Sequence, residues 1–231
     1  KALFDPHQLL NPGKVFPDTV PAPIYATPAA SISTPVAPDS TDKAAAALAA
    51  LSAAGKRVTI SSQPQSTDET TYHLSTENLR GIHTFAPDDL YVTVGAGTPV
   101  AELQSFLAKH QLQTALVSPW PSATVGGLIA NNVNAPLRMR YGGIRDNLLS
   151  TTVALTDGRV IRTGRVVVKN VAGYDLTKLL VGSQGTLGLM TEVTLKLIPR
   201  PRAQRTLAIP VADLQQGLAC CQALLPAVLV S

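Results

Sequence analysis

Lys169-Asn170-Val171-Ala172-Gly173-Tyr174-Asp175-Leu176, followed by Val181-Gly182-Ser183-Gln184-Gly185-Thr186-Leu187-Gly188, decides how this chain is read. Glycines recur at 182, 185 and 188, between two apolar runs. Packing alone rarely asks for that spacing. Glycine carries no Cβ, so its main chain can lie directly against a large flat ligand. Two glycine pairs stand upstream, Gly126-Gly127 after Thr124-Val125 and Gly142-Gly143 after Arg140-Tyr141.

The bulk composition leaves room for such a site in an ordinary globular protein. The chain has 231 residues, 45% of them hydrophobic and 15% charged. That length fits one or two domains with a real core. Aromatic residues are only 4%, too few for a surface that stacks nucleic-acid bases. The net charge of +4 comes from basic residues spread along the chain, apart from Arg200, Arg202 and Arg205, and reads as a solvated surface. The two cysteines, Cys220 and Cys221, are adjacent, a spacing strained for a disulfide and unlike a metal site. They fit a reducing compartment and argue against an iron–sulfur cluster in this chain. His7, His73, His83 and His110 have no ligand spacing. No apolar run approaches the ~20 residues needed to span a bilayer.

Punctuation divides the chain. Asp5-Pro6 and Asn11-Pro12-Gly13 mark turns near the start. Residues 18–42 hold Pro, Ala, Ser and Thr with no glycine, and five prolines fall between Pro21 and Pro38. Such a segment is expected to be a semi-extended linker. Residues 43–54 are strong helix formers, with Ser40, Thr41 or Asp42 as cap and Gly55 as stop. Strands are predicted at 57–60, 82–85, 90–94, 149–156, 159–162 and 188–197, the fourth and fifth joined by an Asp157-Gly158 turn. Helices are predicted at 98–110, 124–132 and 174–181, and Pro199 and Pro201 close the domain. From Leu207 a strand and then a helix at 211–224 begin a further unit.

Around Pro119–Asn132, a hydroxyl residue before paired glycines at a helix start predicts exposed backbone N–H groups, ready donors to a phosphate or a ligand carbonyl. An ordinary helix N-terminus with glycines for close packing explains the motif equally well. Arg145 and Asp146 read as a turn with a solvated ion pair.

Taken together, in order and spacing, these segments resemble the FAD-binding domain of the vanillyl-alcohol oxidase type (PCMH-type). Within it they are most similar to the second flavin-domain subunit of bacterial glycolate dehydrogenase. The resemblance covers about residues 120–202, ending on Leu197-Ile198-Pro199-Arg200-Pro201. Residues 1–17, with the pattern DPxxLLNPGKVFP, resemble the carboxyl-terminal tail of the catalytic flavin subunit in the same family. The resemblance implies an α+β fold of two α/β subdomains holding FAD between them. It divides the chain into a preceding subunit's tail at 1–17, a linker at 18–42, the FAD-binding domain at 43–202 and the start of a truncated cap domain at 203–231. The cofactor-binding residues it implies are Pro121, Ser122, Thr124, Gly126, Gly127, Asn131, Gly142, Gly182, Gly185, Thr186, Gly188 and Leu189.

It further implies an FAD-dependent oxidoreductase acting on a small 2-hydroxy acid, working with a catalytic flavin domain and an iron–sulfur subunit. The expected location is the cytoplasm, with peripheral attachment to the inner membrane through a partner subunit as a variant. Neither covalent flavin attachment nor a general base is visible in the sequence. One position departs from the family. Where it carries a glycine-rich loop after the first strand, this chain reads Ser61-Ser62-Gln63-Pro64-Gln65-Ser66-Thr67. Residues with Cβ atoms resist the left-handed steps of an anion-binding nest, which predicts weaker FAD binding by this domain. Two rival readings follow: a flavin-depleted structural module of such a complex, and another FAD-linked oxidase such as a D-lactate dehydrogenase.

Overall fold

A computed structural model describes residues 36–62, 71–166, 174–203 and 208–228. The tail at 1–17, most of the 18–42 linker, Gln63–Thr67, Lys169–Gly173 and Leu207 lie outside the described residues.

In chain order the elements are α1 (Thr41–Ala53), β1 (Arg57–Ser61), β2 (Thr71–Ser75), β3 (Ile82–Ala86), β4 (Tyr91–Gly95), α2 (Val100–Ala108), β5 (Leu112–Gln113) and α3 (Val125–Ala130). They continue with α4 (Arg138–Tyr141), α5 (Ile144–Asn147), β6 (Leu148–Ala154), β7 (Val160–Gly164), α6 (Leu176–Leu180), β8 (Leu189–Lys196), β9 (Ile198–Pro199) and α7 (Leu214–Val228). Helices and strands of both kinds mix in two lobes, an α+β architecture.

The small lobe is α1 packed on two parallel strands, β1 and β2. Ser40 caps α1 by accepting from the Lys43 N–H, and Gly55 ends it at a positive φ of 63°. The helix buries Ala44, Ala45, Leu48 and Leu51 against Val58 and Leu74. Burying each leucine contributes about 1.5–3 kcal/mol, so this small core is real but thin. β2 escapes the period-2 pattern because a polar residue sits inside it. His73 is buried, and its Nε2 lies 2.8 Å from the Ser61 hydroxyl of β1.

The boundary expected at residue 43 shifts earlier. Val36 forms a parallel bridge with Leu74, its N–H donating to the His73 carbonyl, and the Ala37 carbonyl accepts from the Asn78 amide. Residues 36–42, read as linker because of Pro38 and the lack of apolar periodicity, therefore flank β2. A single bridge needs only one extended residue, which composition cannot announce.

The large lobe is a five-stranded antiparallel sheet in the order β3-β4-β8-β6-β7. Val92, Val94, Val193 and Leu195 are fully buried on one face, against α2 and α3 through residues such as Leu103 and Ile129. The opposite side carries a polar ladder. The Thr93 and Thr194 hydroxyls pair at 2.9 Å, and Glu192 meets His83 Nδ1 at 2.6 Å and accepts from Thr152 at 3.2 Å. The Asp157-Gly158 turn joins β6 to β7, with Asp157 accepting from the Arg159 N–H. β5 pairs with β9, and the Arg200 N–H donates to the Gln111 carbonyl.

Beyond it, Ala208–Pro210 form no strand, contrary to the expectation from Leu207 onward. The α7 N-terminus is set by a reciprocal cap: Gln216 N–H donates to Asp213, and the Ala212 N–H donates to the Gln216 side chain. Leu214 and Leu218 of α7 are exposed. Among the described residues no helix is long and apolar enough to cross a membrane.

Candidate functional site

A cleft of about 660 Å³ opens between the lobes. The small lobe supplies Thr59, Ile60, Ser61 and Ser62 from the end of β1, and Thr76 from just after β2. The sheet lobe supplies α3 with the residues before it and the loop 184–190. One wall is therefore largely hydroxyl-bearing. The other is mainly main chain, alanine and aliphatic side chain, including Leu128, Val133 and Leu189.

The sheet-lobe wall is held by main-chain hydrogen bonds. The loop after α6 is stitched to α3, since the Gly182 N–H donates to the Ile129 carbonyl and the Gln184 N–H to the Ala130 carbonyl. Gly182 and Gly185 take positive φ of 78° and 72°, which lets the loop fold back tightly on the helix. Thr186 is buried beneath it and donates to the Ser183 carbonyl.

Most of the residues implied by the resemblance meet in this cleft. Ser122, Thr124, Gly126, Gly127, Asn131, Gly185, Gly188 and Leu189 all line it. Pro121, Gly182 and Thr186 do not line it but sit in the same two segments. Gly142 lies elsewhere, in a small depression with Asn134, Gly143 and Asn147. Its positive φ of 78°, and the 2.9 Å at which a Cβ there would meet the Asp146 side chain, explain it as a turn residue. The buried Asn147 amide donates to the carbonyls of Tyr141 and Gly143, and Asp146 accepts from the Gly143 N–H. Gly142-Gly143 thus shapes a structural turn, which the glycine count could not separate from a ligand contact. Arg145 and Asp146 do not pair as the ion pair expected; Asp146 is a cap instead.

The expectation of free donors at the start of α3 is overturned. The Val125 N–H donates to the Thr98 carbonyl, Gly126 to the Ala96 carbonyl, and Gly127 to the Thr124 hydroxyl. The helix N-terminus is satisfied by the protein itself, because the chain at 96–98 runs directly against it. The glycines also answer to packing. A Cβ on Gly126 would stand 2.8 Å from the Ala96 Cβ, and one on Gly188 would stand 2.6 Å from Val153. Gly127 is different, since its Cβ would meet only the Thr124 hydroxyl, at 3.0 Å.

Sequence reasoning missed Thr59, Ile60, Thr76, Gln184 and Met190 as lining residues. Thr59 and Thr76 follow from β2 pairing with β1, a parallel contact that no local pattern marks. Gln184 carried one available signal, its place between Gly182 and Gly185. No Asp, Glu, Lys, Arg or His lines the cleft among the described residues, and none of them form a metal-ligand cluster. The arrangement suits holding a flat, polar-edged molecule. Among the described residues its lining holds no carboxylate, imidazole or amine to carry a proton.

Comparison with known proteins fits this geometry. Residues 33–164 match the family described as FAD binding domain, more than half of the chain, and the chain belongs to that family. β8 lies beyond the matched stretch but pairs with both β4 and β6, so the same domain continues to it. The chain is 37% identical over 132 residues to D-lactate dehydrogenase [cytochrome] 1, mitochondrial, of Saccharomyces cerevisiae, covering 57% of this chain and 22% of that protein. It is 37% identical over 147 residues to D-lactate dehydrogenase of Archaeoglobus fulgidus, covering 64% and 33%. It is 39% identical over 130 residues to glycolate oxidase subunit GlcE of Escherichia coli, covering 55% and 37%. The chain thus spans little more than a third, or less, of the length of these relatives. In fold it resembles alkyldihydroxyacetonephosphate synthase, with a TM-score of 0.63 at 19% identity over 73% of this chain and 32% of that one.

Proposed function

We propose that this member of the FAD-binding domain family holds FAD non-covalently in the cleft between its lobes, as part of a flavin-dependent 2-hydroxy-acid dehydrogenase. The observation that carries the reading is the two-walled cleft. A main-chain and aliphatic wall suits a flat ring system, and a hydroxyl wall suits polar and anionic groups. Bound FAD supplies the two-electron acceptance that oxidation of a 2-hydroxy acid requires. The residues of this chain orient the cofactor and exclude water from its ring. Thr59, Ser62 and Thr76 offer hydroxyls along the small-lobe wall, and Ser61 and Ser62 begin the stretch where the resembling family carries a glycine-rich loop.

Lactate and glycolate are the substrates that the relatives' names suggest. Their carboxylate and hydroxyl need a cation and a base. The cleft lining contains neither, so on this reading both come from outside the described residues. GlcE is named as a subunit, which supports assembly with a partner flavin domain; an iron–sulfur subunit as electron acceptor belongs to the same proposal.

The test is direct. The full chain is purified and titrated with FAD while flavin fluorescence is followed. D-Lactate or glycolate is then added without oxygen, and bleaching of the visible flavin band is read. Stoichiometric binding followed by bleaching supports the whole reading. Binding without bleaching leaves the cofactor assignment and removes the substrate assignment from this chain alone. Failure to bind FAD at any accessible concentration favours the flavin-depleted structural module.

A further inference from the structure

The two edges of the five-stranded sheet are finished differently. β3 is blunted: its register breaks between Ile82 and Thr84, and Pro87 follows it directly. β7, at the other edge, pairs with β6 without a break, and among the described residues no strand lies on its outer side. The Leu155 N–H donates to the Arg159 carbonyl, which closes the hairpin on a hydrogen-bonded pair. Bonded and non-bonded pairs alternate along an antiparallel ladder, so Ile161 and Thr163 use their main-chain groups on β6. Val160 and Arg162 turn theirs outward, where among the described residues no hydrogen bond reaches them.

This open edge lies between two apolar shoulders on opposite faces of the sheet. On one face stands α1. A Cβ on Gly158 would lie 3.1 Å from the Ala49 Cβ, and Ala46, Ala50 and Ala53 on the same side of that helix are exposed. Val160 lies on this face, opposite Ala154, and is 39% exposed. On the other face stands α6. Its Thr177 hydroxyl meets the Thr163 hydroxyl at 3.0 Å, and its Leu176 and Leu179 are 46% and 47% exposed. A strand laid along β7 would send alternate side chains to the two shoulders.

Charge narrows the occupant. Arg159 is taken by Asp157 at 2.6 Å, but Arg162 and Arg165 are exposed and form no ion pair among the described residues. A second copy set antiparallel along β7 would bring these arginines against its own, and like charges across a strand pair are unfavourable. Carboxylates on an incoming strand would be attracted instead.

We propose that the outer edge of β7 docks an extended, acidic segment of a partner protein. That segment adds a further strand through the main chain of Val160 and Arg162 and sets its carboxylates against Arg162 and Arg165.

The test titrates the full chain with two short fluorescein-labelled peptides, one alternating Glu-Val and one alternating Lys-Val. Hydrogen exchange is followed at the Val160 and Arg162 amides. The Glu-Val peptide should bind about tenfold more tightly than the Lys-Val peptide or better, and should slow exchange at both amides. Arg162→Glu should reverse the preference. Val160→Pro removes an outward N–H and leaves the β6 ladder intact, so it should abolish binding with little change in Tm. A Glu-Val peptide N-methylated along one edge tests the same hydrogen bonds without altering the protein, and it should not bind. Equal binding of the two charged peptides would overturn the proposal. So would no binding of the Glu-Val peptide at millimolar concentration, or protection that falls outside β7. A dimer in sedimentation that Val160→Pro dissociates would give the edge to a second copy of the chain and overturn the assignment to an acidic partner.

Discussion

The two walls of the cleft are built on different principles. The sheet-lobe wall is fixed from behind: the N–H groups at the start of α3 are spent on Ala96, Thr98 and Thr124, and the loop at 182–184 is tied to the carbonyls of Ile129 and Ala130. Its shape owes nothing to a ligand. The small-lobe wall hangs on a core of one helix and two strands, and it presents the side-chain hydroxyls of Thr59, Ser62 and Thr76. One wall therefore contributes form and the other polar contact. Changes behind the first should act through packing, and changes on the second through affinity.

The largest expected effect tests how thin the small lobe is. Leu74 is fully buried between α1 and the strands. Leu74→Ala should cost about 2–5 kcal/mol. Hydrogen exchange would then show β1 and β2 opening while the β4 and β8 amides keep their protection. Equal loss in both lobes would show that the walls share one cooperative core.

Next comes the joint between the walls. A Cβ on Gly97 would run into the Thr76 carbonyl, and the Gly97 N–H donates to Leu79 at 2.7 Å. Backbone cannot move aside as a side chain can. Gly97→Ala should therefore cost roughly 1–3 kcal/mol, toward the upper end. It should also reduce FAD affinity by displacing Thr76. Denaturant unfolding and FAD titration measure the two losses, and an unchanged midpoint would break the picture of a tight joint.

On the hydroxyl wall itself, Ser62→Ala removes a half-buried, cleft-lining hydroxyl. A hydrogen bond is typically worth about 0.5–1.5 kcal/mol, so the Kd for FAD should rise roughly two- to tenfold. Thermal stability should stay within about 0.5 kcal/mol of the parent. An unchanged Kd would mean that this hydroxyl takes no part in cofactor binding.

The smallest effect lies away from the cleft and calibrates the rest. At Asp157, desolvation raises the carboxyl pKa, but hydrogen bonds and charge from Arg159 outweigh it and leave the pKa below its usual value. A depressed folded pKa stabilises the protein above the unfolded carboxylate value of about 3.9, and that gain disappears as pH falls through the folded value. The pair is largely exposed, so the whole contribution should be under about 1 kcal/mol. Thermal scans of Asp157→Asn at pH 7 and pH 3 should differ from the parent at neutral pH and converge with it in acid.

Much of the fold was legible because it is written locally. The alanine run after Ser40 ends at Gly55, and Val92 and Val94 alternate with Tyr91 and Thr93. Such patterns need only neighbours in the chain. β2 was not legible, since the buried His73 breaks the alternation and its partner Ser61 lies twelve residues away. The same holds within the site. Gly185 and Gly188 read correctly as cleft residues, while Gly142 did not, because a positive φ serves a turn as well as a ligand.

By itself, then, the amino-acid sequence determined the helix caps, most of the strands, the order of the glycine segments and the family they resemble, all properties of short-range pattern. Only the tertiary structure decided which glycines share a cleft, that the donors at the start of α3 are already satisfied, and that Thr59, Thr76 and Gln184 face a common space. Those facts depend on contacts between residues far apart in the chain, where hydrogen bonds and van der Waals distances are set by folding rather than by local propensity.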